Sequence, residues 1–325
     1  MNAEPFLAAA GFGAARRIAL PADASFRRYE RLHGGPEPAL LMLAPPPNED
    51  LRPFIAIGAH LRAAGLSAPR VLAADPDAGL AIIEDFGPTT MAEALDGGAD
   101  PAPLYAAAVA ALARLHALPP PPGLPRLDAA RMAMLAGATF LEWWWPAAMG
   151  APAGEGVRAA YAAAMHAMLT PFAAHGFVHR DYFPANLMPL DRPGAAGMGI
   201  LDFQDAEAGH PAYDLVSLLE DARRDVAPAL RAEGVAQYLA LRPDLDAPAF
   251  RAAMAVMAAQ RHLRVACLWV RLARRDGKPG YLRHGPRCWA LLDKALSHPA
   301  TAPLRDFLDA HVPAARRANP PEGAP

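Results

Sequence analysis

Three side chains near the middle of the chain have the types and the spacing that phosphoryl transfer needs. Asp181 lies in the string HRDYFPAN, which ends at Asn186, and Asp202 follows sixteen residues later after an apolar Ile-Leu pair. A carboxylate such as that of Asp181 can orient an attacking hydroxyl group and accept its proton. Asn186 and Asp202 carry the oxygen ligands that Mg²⁺ prefers when it bridges nucleotide phosphates. The spacing therefore predicts a Mg²⁺-dependent phosphotransferase site.

Patterns of other nucleotide and metal sites are incomplete in this sequence. A Walker A loop needs Gly-Lys followed by Ser or Thr, whereas the sole Gly-Lys pair here precedes Pro279. The glycine-containing segment from Gly11 to Arg16 lacks the third glycine of a dinucleotide fingerprint. His175 and His179 are four residues apart, but no HExxH motif accompanies them. We therefore expect neither a P-loop, nor a dinucleotide fold, nor a zinc site.

The elements that must position these residues fall into a β-rich beginning and a helical remainder. A helix is predicted over residues 49–64, and turn residues separate the strands. The predicted strands are Ile18–Leu20, Phe26–Leu32, Ala39–Leu43, Val71–Ala74 and Leu80–Ile83. The string from Glu84 to Pro88 breaks the last strand, and we place the hinge between two lobes there. The predicted domains are 1–87 and 88–325.

The second domain has mainly helical periodicity. A short β-like island covers Gly199–Phe203, and residues 316–325 are predicted to form a frayed tail. Helices are predicted over 102–117, 128–149, 155–175, 212–225, 226–241 and 247–275. Trp143, Trp144 and Trp145 cannot share one helix face, so we expect one or two of them in the core and leave open a sugar-stacking role for another.

The catalytic string, Asp202 and the later Tyr213-Asp214-Leu215 resemble the aminoglycoside-phosphotransferase-like kinases. Other strings are similar to the branch of bacterial anomeric N-acetylmuramate/N-acetylglucosamine kinases. They are DASFRRY (23–29), APPP (44–47), EDLRPF (49–54), EDFG (84–87), ILDFQDA (200–206), DLVSLL (214–219), QRHL (260–263) and RDGK (275–278). The resemblance implies an α+β, two-lobe protein-kinase-like fold, with a small β-rich N-lobe, a larger mostly helical C-lobe, and ATP as the phosphoryl donor.

The same resemblance implies a role for each matching position. Asp181 would be the catalytic base, and Asn186 and Asp202 would hold Mg²⁺. The residues implied in nucleotide binding are Ser25, Arg27 and Arg28 at the phosphates and Glu84 and Phe86 at the hinge beside adenine. The residues implied in substrate binding are Asp205, Gln260, Arg261 and His262. Gln260 and His262 could equally satisfy buried backbone groups, and Asp214 could brace a loop or simply begin a helix.

One departure from the kinase pattern concerns the lysine that usually binds the α- and β-phosphates. It should lie near Leu40–Leu43, yet the first lysine of the chain is Lys278. Arg27 and Arg28 are our candidates for its role, because a guanidinium fork can also bind phosphate. Ala24 and Ser25 stand where a glycine-rich phosphate loop would lie.

The number and distribution of charged residues indicate which classes of partner and substrate the protein can bind. The net charge of −2 gives no case for nucleic acid or an anionic membrane, and no protein partner is implied. Basic side chains outnumber acidic ones between residues 206 and 300, which suits an anionic amino sugar better than a polycationic aminoglycoside. Together with this charge balance, the resemblance to the anomeric sugar kinases implies a cytoplasmic sugar 1-kinase of peptidoglycan recycling. The alternatives are a kinase of another small hydroxyl compound or a non-catalytic nucleotide-binding protein.

Overall fold

The computed structural model describes residues 2–21 and 26–320, and the chain forms two compact units. The first, here called the sheet unit, comprises Met1–Leu115 and Pro184–Asp205. The second, here called the helical unit, comprises His116–Phe183 and Ala206–Pro325. Ser25 lies outside the described residues. The predicted domain boundary between residues 87 and 88 stays a prediction.

The sheet unit is built on a five-stranded antiparallel sheet with the strand order β1-β2-β3-β5-β4. Leu41 pairs with Ile82, and both side chains are fully buried on the face that helix α1 (Glu4–Ala9) covers with Leu7. Alternating apolar side chains thus give the sheet one buried face. The strands are β1 (Arg16–Ala19), β2 (Arg28–His33), β3 (Ala39–Leu43), β4 (Val71–Asp75) and β5 (Leu80–Glu84).

Three further helices and a hairpin complete the sheet unit. Helix α2 (Leu51–Ala63) begins at Asp50, whose side chain accepts a hydrogen bond from the Arg52 N–H. Helix α3 (Met91–Asp96) begins with a capping box, and α4 (Pro101–His116) follows it. The hairpin of β7 (Leu187–Pro189) and β8 (Met198–Ile200) is attached by the Ile200 N–H, which donates to the Ser67 carbonyl at 2.7 Å. These contacts hold the hairpin beside the sheet.

The helical unit carries a second small strand pair, β6 (Gly176–Val178) with β9 (Glu207–Gly209). Its longest helix has 29 residues and begins at Asp246, which caps the Ala249 N–H. The remaining helices pack around it. They are α5 (Ala129–Thr139), α6 (Trp145–Met149), α7 (Glu155–Leu169), α8 (Ala212–Leu219), α9 (Pro228–Leu241), α10 (Ala247–Arg275, the longest), α11 (Gly285–Leu296) and α12 (Ala302–His311). None of the helices within 2–21 and 26–320 is long and apolar enough to cross a membrane.

Two segments differ from the sequence-based predictions. The helix predicted over 128–149 is not continuous, and the first residues of the predicted frayed tail, 316–325, make contacts. A π-helical turn, Phe140–Trp144, interrupts the predicted helix, and Trp144 and Trp145 are both buried. The Trp144 indole donates a hydrogen bond to the Ala318 carbonyl, and Trp289 donates to the Asn319 side chain. These two hydrogen bonds attach Ala318 and Asn319 to the helical unit and give the indole N–H groups their acceptors.

Candidate active site

A cavity of about 670 Å³ opens within the sheet unit. Residues from the sheet, from the segment that follows β5 and from the β7–β8 hairpin surround it. The predicted site residues among its lining are Arg27, Glu84, Phe86, Asn186, Asp202 and Asp205. Its volume lies in the range of small-molecule sites. The sheet unit alone thus brings together one predicted phosphate ligand, the hinge residues and the predicted metal pair.

The end of this cavity beside Glu84 and Phe86, the residues of the predicted hinge, is held by ion pairs and by one close backbone approach. The Glu84 carboxylate accepts a hydrogen bond from Arg192 at 2.6 Å and lies 3.5 Å from the Arg70 guanidinium. The Phe86 ring lies against Gly199, where an added Cβ atom would come within 2.8 Å of it. Among the described residues no group accepts a hydrogen bond from the Phe86 N–H. An unused backbone donor beside a cavity can bind a heterocyclic base.

Arg27 and Arg28 are placed very differently. The Arg27 side chain is 10 % exposed, and its guanidinium lies 3.3 Å from Glu49 and 3.6 Å from Asp202. The Arg28 side chain is exposed and does not line the cavity. Glu49 lies just before Asp50, the cap residue of helix α2, and was missed at the sequence level because its partner lies 22 residues away in the chain. Arg27 is a fixed cation at the cavity, held between two carboxylates.

Asn186, Asp202 and Asp205 form an oxygen-rich cluster that Gln204 connects. The Gln204 side-chain amide donates hydrogen bonds of 2.9 Å to both Asp202 and Asp205. The Asn186 amide lies 3.5 Å from Asp202, and the Asn186 carbonyl accepts the Leu201 N–H. Gln204 stands where kinases have glycine, and the sequence showed only this substitution, with no sign of its two carboxylate partners. It orders the two acids that flank it.

The backbone around Asp202 explains how its carboxylate reaches the cavity. Asp202 has a φ of 60°, in the left-handed region that non-glycine residues seldom adopt. The next residue, Phe203, is fully buried and stacks on Phe54 of α2 with ring centroids 5.0 Å apart. The sharp turn at Asp202 lets Phe203 point into the core while the Asp202 carboxylate stays 43 % exposed.

The two carboxylates of Asp202 and Asp205 and the carboxamide of Asn186 form a donor set that fits Mg²⁺, which binds few protein oxygens and retains several waters. The described residues hold no cluster of three His, Cys, Asp or Glu side chains that could bind a metal ion.

Asp181 lies in the helical unit, in the loop after strand β6. The buried Asp214 carboxylate accepts hydrogen bonds from the backbone N–H groups of His179 and Arg180, at 2.6 and 2.8 Å. Arg180 has a φ of 76°, and its guanidinium donates to Glu207 at 3.0 Å. Asp214 therefore braces the loop, which was one of the two roles that its sequence position allowed. The loop has a fixed course up to Asp181.

A buried histidine supports Asp214 in turn. The His116 Nε2 lies 3.2 Å from the Asp214 carboxylate, and its Nδ1 lies 2.8 Å from the Tyr238 hydroxyl. Burial lowers the pKa of His116, although Asp214 opposes that shift. A neutral ring can donate to Asp214 and accept from Tyr238 at once. Neither His116 nor Tyr238 was a sequence-level candidate, since their partners are remote in the chain.

The three predicted substrate residues of α10 lie inside the helical unit and bind its other elements. Gln260 donates to the Met132 carbonyl at 2.8 Å, and Arg261 donates to the Ser217 hydroxyl at 2.7 Å. His262 lies 2.9 Å from Glu220, which Lys294 also contacts. His262 and Lys294 outweigh burial and lower the pKa of Glu220 to about 2. Substrate binding by Gln260, Arg261 and His262 stays a prediction, and their visible contacts attach α10 to its neighbours.

The family model described as the phosphotransferase enzyme family matches residues 17–251. The chain belongs to this family. It is 40% identical to the N-acetylmuramate/N-acetylglucosamine kinase of Caulobacter vibrioides, over 96% of each chain. It is 35% identical to the kinase of the same name from Pseudomonas aeruginosa, over 90% of this chain and 88% of that one. The protein is thus a phosphotransferase, as its catalytic string predicted.

Solved structures confirm the predicted fold class. An aminoglycoside phosphotransferase in a ternary complex with AMP-PNP and hygromycin B matches with a TM-score of 0.56. The sequence identity is 16%, and the match covers 92% of this chain and 100% of that one. At this identity the likeness shows the fold alone. The α+β, two-lobe protein-kinase-like fold is therefore confirmed.

The contacts of Arg27 at the cavity lead to a testable prediction. We expect Arg27→Ala to raise the KM for the nucleotide by roughly 10- to 100-fold, since a charge-assisted hydrogen bond contributes about 1.5–3 kcal/mol. Arg16→Ala, a control on an exposed side chain of β1 that does not line the cavity, should change the KM less than about threefold. Initial-rate kinetics at varied nucleotide concentration measure both effects. Equal effects of the two variants would remove Arg27 from phosphate binding.

Proposed function

We propose that the protein transfers the γ-phosphoryl group of ATP to the anomeric hydroxyl group of N-acetylmuramate or N-acetylglucosamine. The observation that carries the proposal is the 40% identity to a kinase of these two sugars, over 96% of both chains. The contacts of Arg27 and Asp202 and the bracing of the Asp181 loop by Asp214 support the proposal. The reaction would belong to cell-wall recycling in the cytoplasm, where ATP is available.

The cavity of the sheet unit would take the nucleotide. Adenine would lie at the hinge, where the Phe86 N–H is free to donate a hydrogen bond. The phosphates would extend toward Arg27, which substitutes for the lysine of other kinases. Its contact with Glu49 at 3.3 Å supports this role, because a carboxylate partner fixes the guanidinium in place. Ser25 and Arg28 remain proposed phosphate contacts that no described contact supports.

Asn186 and Asp202 would hold Mg²⁺, and Asp205 lies beside them through Gln204. When bound, Mg²⁺ neutralises charge on the β- and γ-phosphates. Asp181 would accept the proton of the sugar hydroxyl as that oxygen bonds to the γ-phosphorus. The bond from the γ-phosphorus to the bridging oxygen breaks, and ADP leaves. The bracing of the Asp181 loop by Asp214 supports the role of Asp181, since a general base must be held in position.

A parallel substrate panel tests this proposal. ADP release would be followed with N-acetylmuramate, N-acetylglucosamine and kanamycin at equal concentrations, with and without Mg²⁺. We expect Mg²⁺-dependent release with at least one amino sugar and none above background with kanamycin. Turnover of kanamycin alone would assign the protein to the aminoglycoside kinases. Nucleotide binding without turnover of any acceptor would favour the non-catalytic alternative.

A further inference from the structure

Two arginines on one face of helix α10 lack a hydrogen-bond partner for their Nε atoms in the described part of the chain. Arg264 and Arg271 are seven residues apart, so they lie on the same side of the helix, about 10 Å apart along its axis. The Nε atom of each is buried and makes no hydrogen bond. No described carboxylate forms an ion pair with either guanidinium. Half-buried charges of this kind are costly unless a partner is supplied.

The two guanidinium groups also act on each other. Burial lowers the pKa of Arg271, the charges of Arg275 and Arg264 add to that effect, and the Asp276 carboxylate opposes it. Two guanidinium groups that repel each other on one face, and that form no ion pair with a described carboxylate, can bind an external anion. Arg275 provides a contrast, since its guanidinium donates to Asp276 at 2.7 Å and its side chain is 52 % exposed.

The surroundings of Arg264 connect this face to the catalytic loop. Tyr213, Asp181 and Glu207 raise the pKa of Arg264, while burial opposes them. Glu207 is already engaged by Arg180 and by Arg131, at 3.0 and 3.1 Å. The Arg264 carbonyl accepts a hydrogen bond from the Thr139 hydroxyl, which fixes the backbone at this position. Arg264 is therefore a positioned, unpaired cation in the electrostatic field of Asp181.

We propose that Arg264, with Arg271 as a second contact, binds the carboxylate of an acidic sugar acceptor and thereby sets the preference for N-acetylmuramate over N-acetylglucosamine. The inference rests on the proposed sugar-kinase function and names the group that recognises the substrate. The two sugars differ in the lactyl carboxylate, which only N-acetylmuramate carries. A guanidinium binds a carboxylate through two parallel hydrogen bonds, which gives direction as well as affinity.

The test compares the two sugars in four proteins: the native enzyme, Arg264→Met, Arg264→Lys and the control Arg275→Gln. We expect Arg264→Met to lower kcat/KM for N-acetylmuramate by roughly 10- to 100-fold, the loss of a charged hydrogen bond. The value for N-acetylglucosamine should change less than about threefold. Arg264→Lys keeps the charge without the planar fork and should give an intermediate ratio. Arg275→Gln should leave the ratio unchanged.

Each outcome separates the inference from the proposed function. If the native enzyme turns over neither sugar, the proposed function is wrong. If it turns over both and Arg264→Lys or Arg264→Met lowers both by the same factor, Arg264 acts on the nucleotide or on the fold, and the inference is wrong. An unchanged ratio in a folded Arg264→Met variant also overturns it. Thermal unfolding of each variant identifies a loss of fold, and Arg264→Lys supplies the ratio should the methionine variant unfold.

Discussion

Replacing Asp181 with asparagine should lower turnover of the amino sugar by about 10²- to 10⁴-fold, the usual contribution of a general base. The asparagine keeps the shape of the side chain but cannot accept the proton of the attacking hydroxyl group. The loop should keep its course, because Asp214 holds the backbone of His179 and Arg180 rather than the Asp181 side chain. Steady-state ADP release at saturating ATP and sugar measures the effect.

Nucleotide binding separates a chemical effect of Asp181→Asn from a structural one. The affinity for ATP in the presence of Mg²⁺, measured by calorimetry, should remain within about threefold of the native value. The matched control is Asp293→Asn on the exposed surface of α11, which should not alter turnover. Turnover of Asp181→Asn close to that of the native enzyme would remove Asp181 from the mechanism.

Replacing Asp202 with alanine should abolish detectable activity and weaken binding of ATP in the presence of Mg²⁺. In the proposed mechanism the Asp202 carboxylate, which lines the cavity, binds Mg²⁺, and its loss would leave the phosphate charge uncompensated. It also lies 3.6 Å from Arg27, so its removal takes a carboxylate partner from that cation. Calorimetric titration with ATP, in the presence and absence of Mg²⁺, measures the change.

The Mg²⁺ dependence is the decisive part of the Asp202→Ala experiment. The native protein should bind ATP more tightly with Mg²⁺ than without it, and the variant should lose most of this difference. Asp191→Ala, an exposed position in the turn between β7 and β8, is the matched control and should keep it. Unchanged affinity with unchanged Mg²⁺ dependence in Asp202→Ala would show that the metal ligands lie elsewhere.

Periodicity predicted most long elements within a few residues and missed the shortest ones. The helix predicted over 247–275 coincides with α10, and Ala39–Leu43 coincides with β3. Strands β6 and β9 have three residues each, too few for an alternating pattern to be recognised. Helix α7 ends at Leu169 rather than at 175, because Pro171 lacks an N–H and restricts the residue before it. The alanine residues that follow Pro171 favour a helix, so the sequence pattern placed the end of α7 too far along the chain.

The candidate site likewise contains residues that the sequence identified and contacts that it could not identify. Asp181, Asn186 and Asp202 could be selected from the sequence because their spacing within one short stretch is itself the signal. Their supporting contacts join segments that are far apart: Arg27 with Glu49, and Asp214 with His116, 98 residues away. Spacing carries no information about such pairs, which depend on how the elements pack. Arg264 belongs to this second group, since among many surface arginines only its burial and lack of a partner distinguish it.

The product formed from N-acetylmuramate tests the central proposal most directly. Attack by the anomeric oxygen gives a 1-phosphate, which blocks the reducing end, whereas attack by the 6-hydroxyl group leaves it free. We expect a product that no longer gives the reducing-sugar reaction and that shows phosphorus coupling to H1 in its proton spectrum. A product that still reduces, or turnover of kanamycin with neither amino sugar consumed, would contradict the assignment as an anomeric sugar kinase.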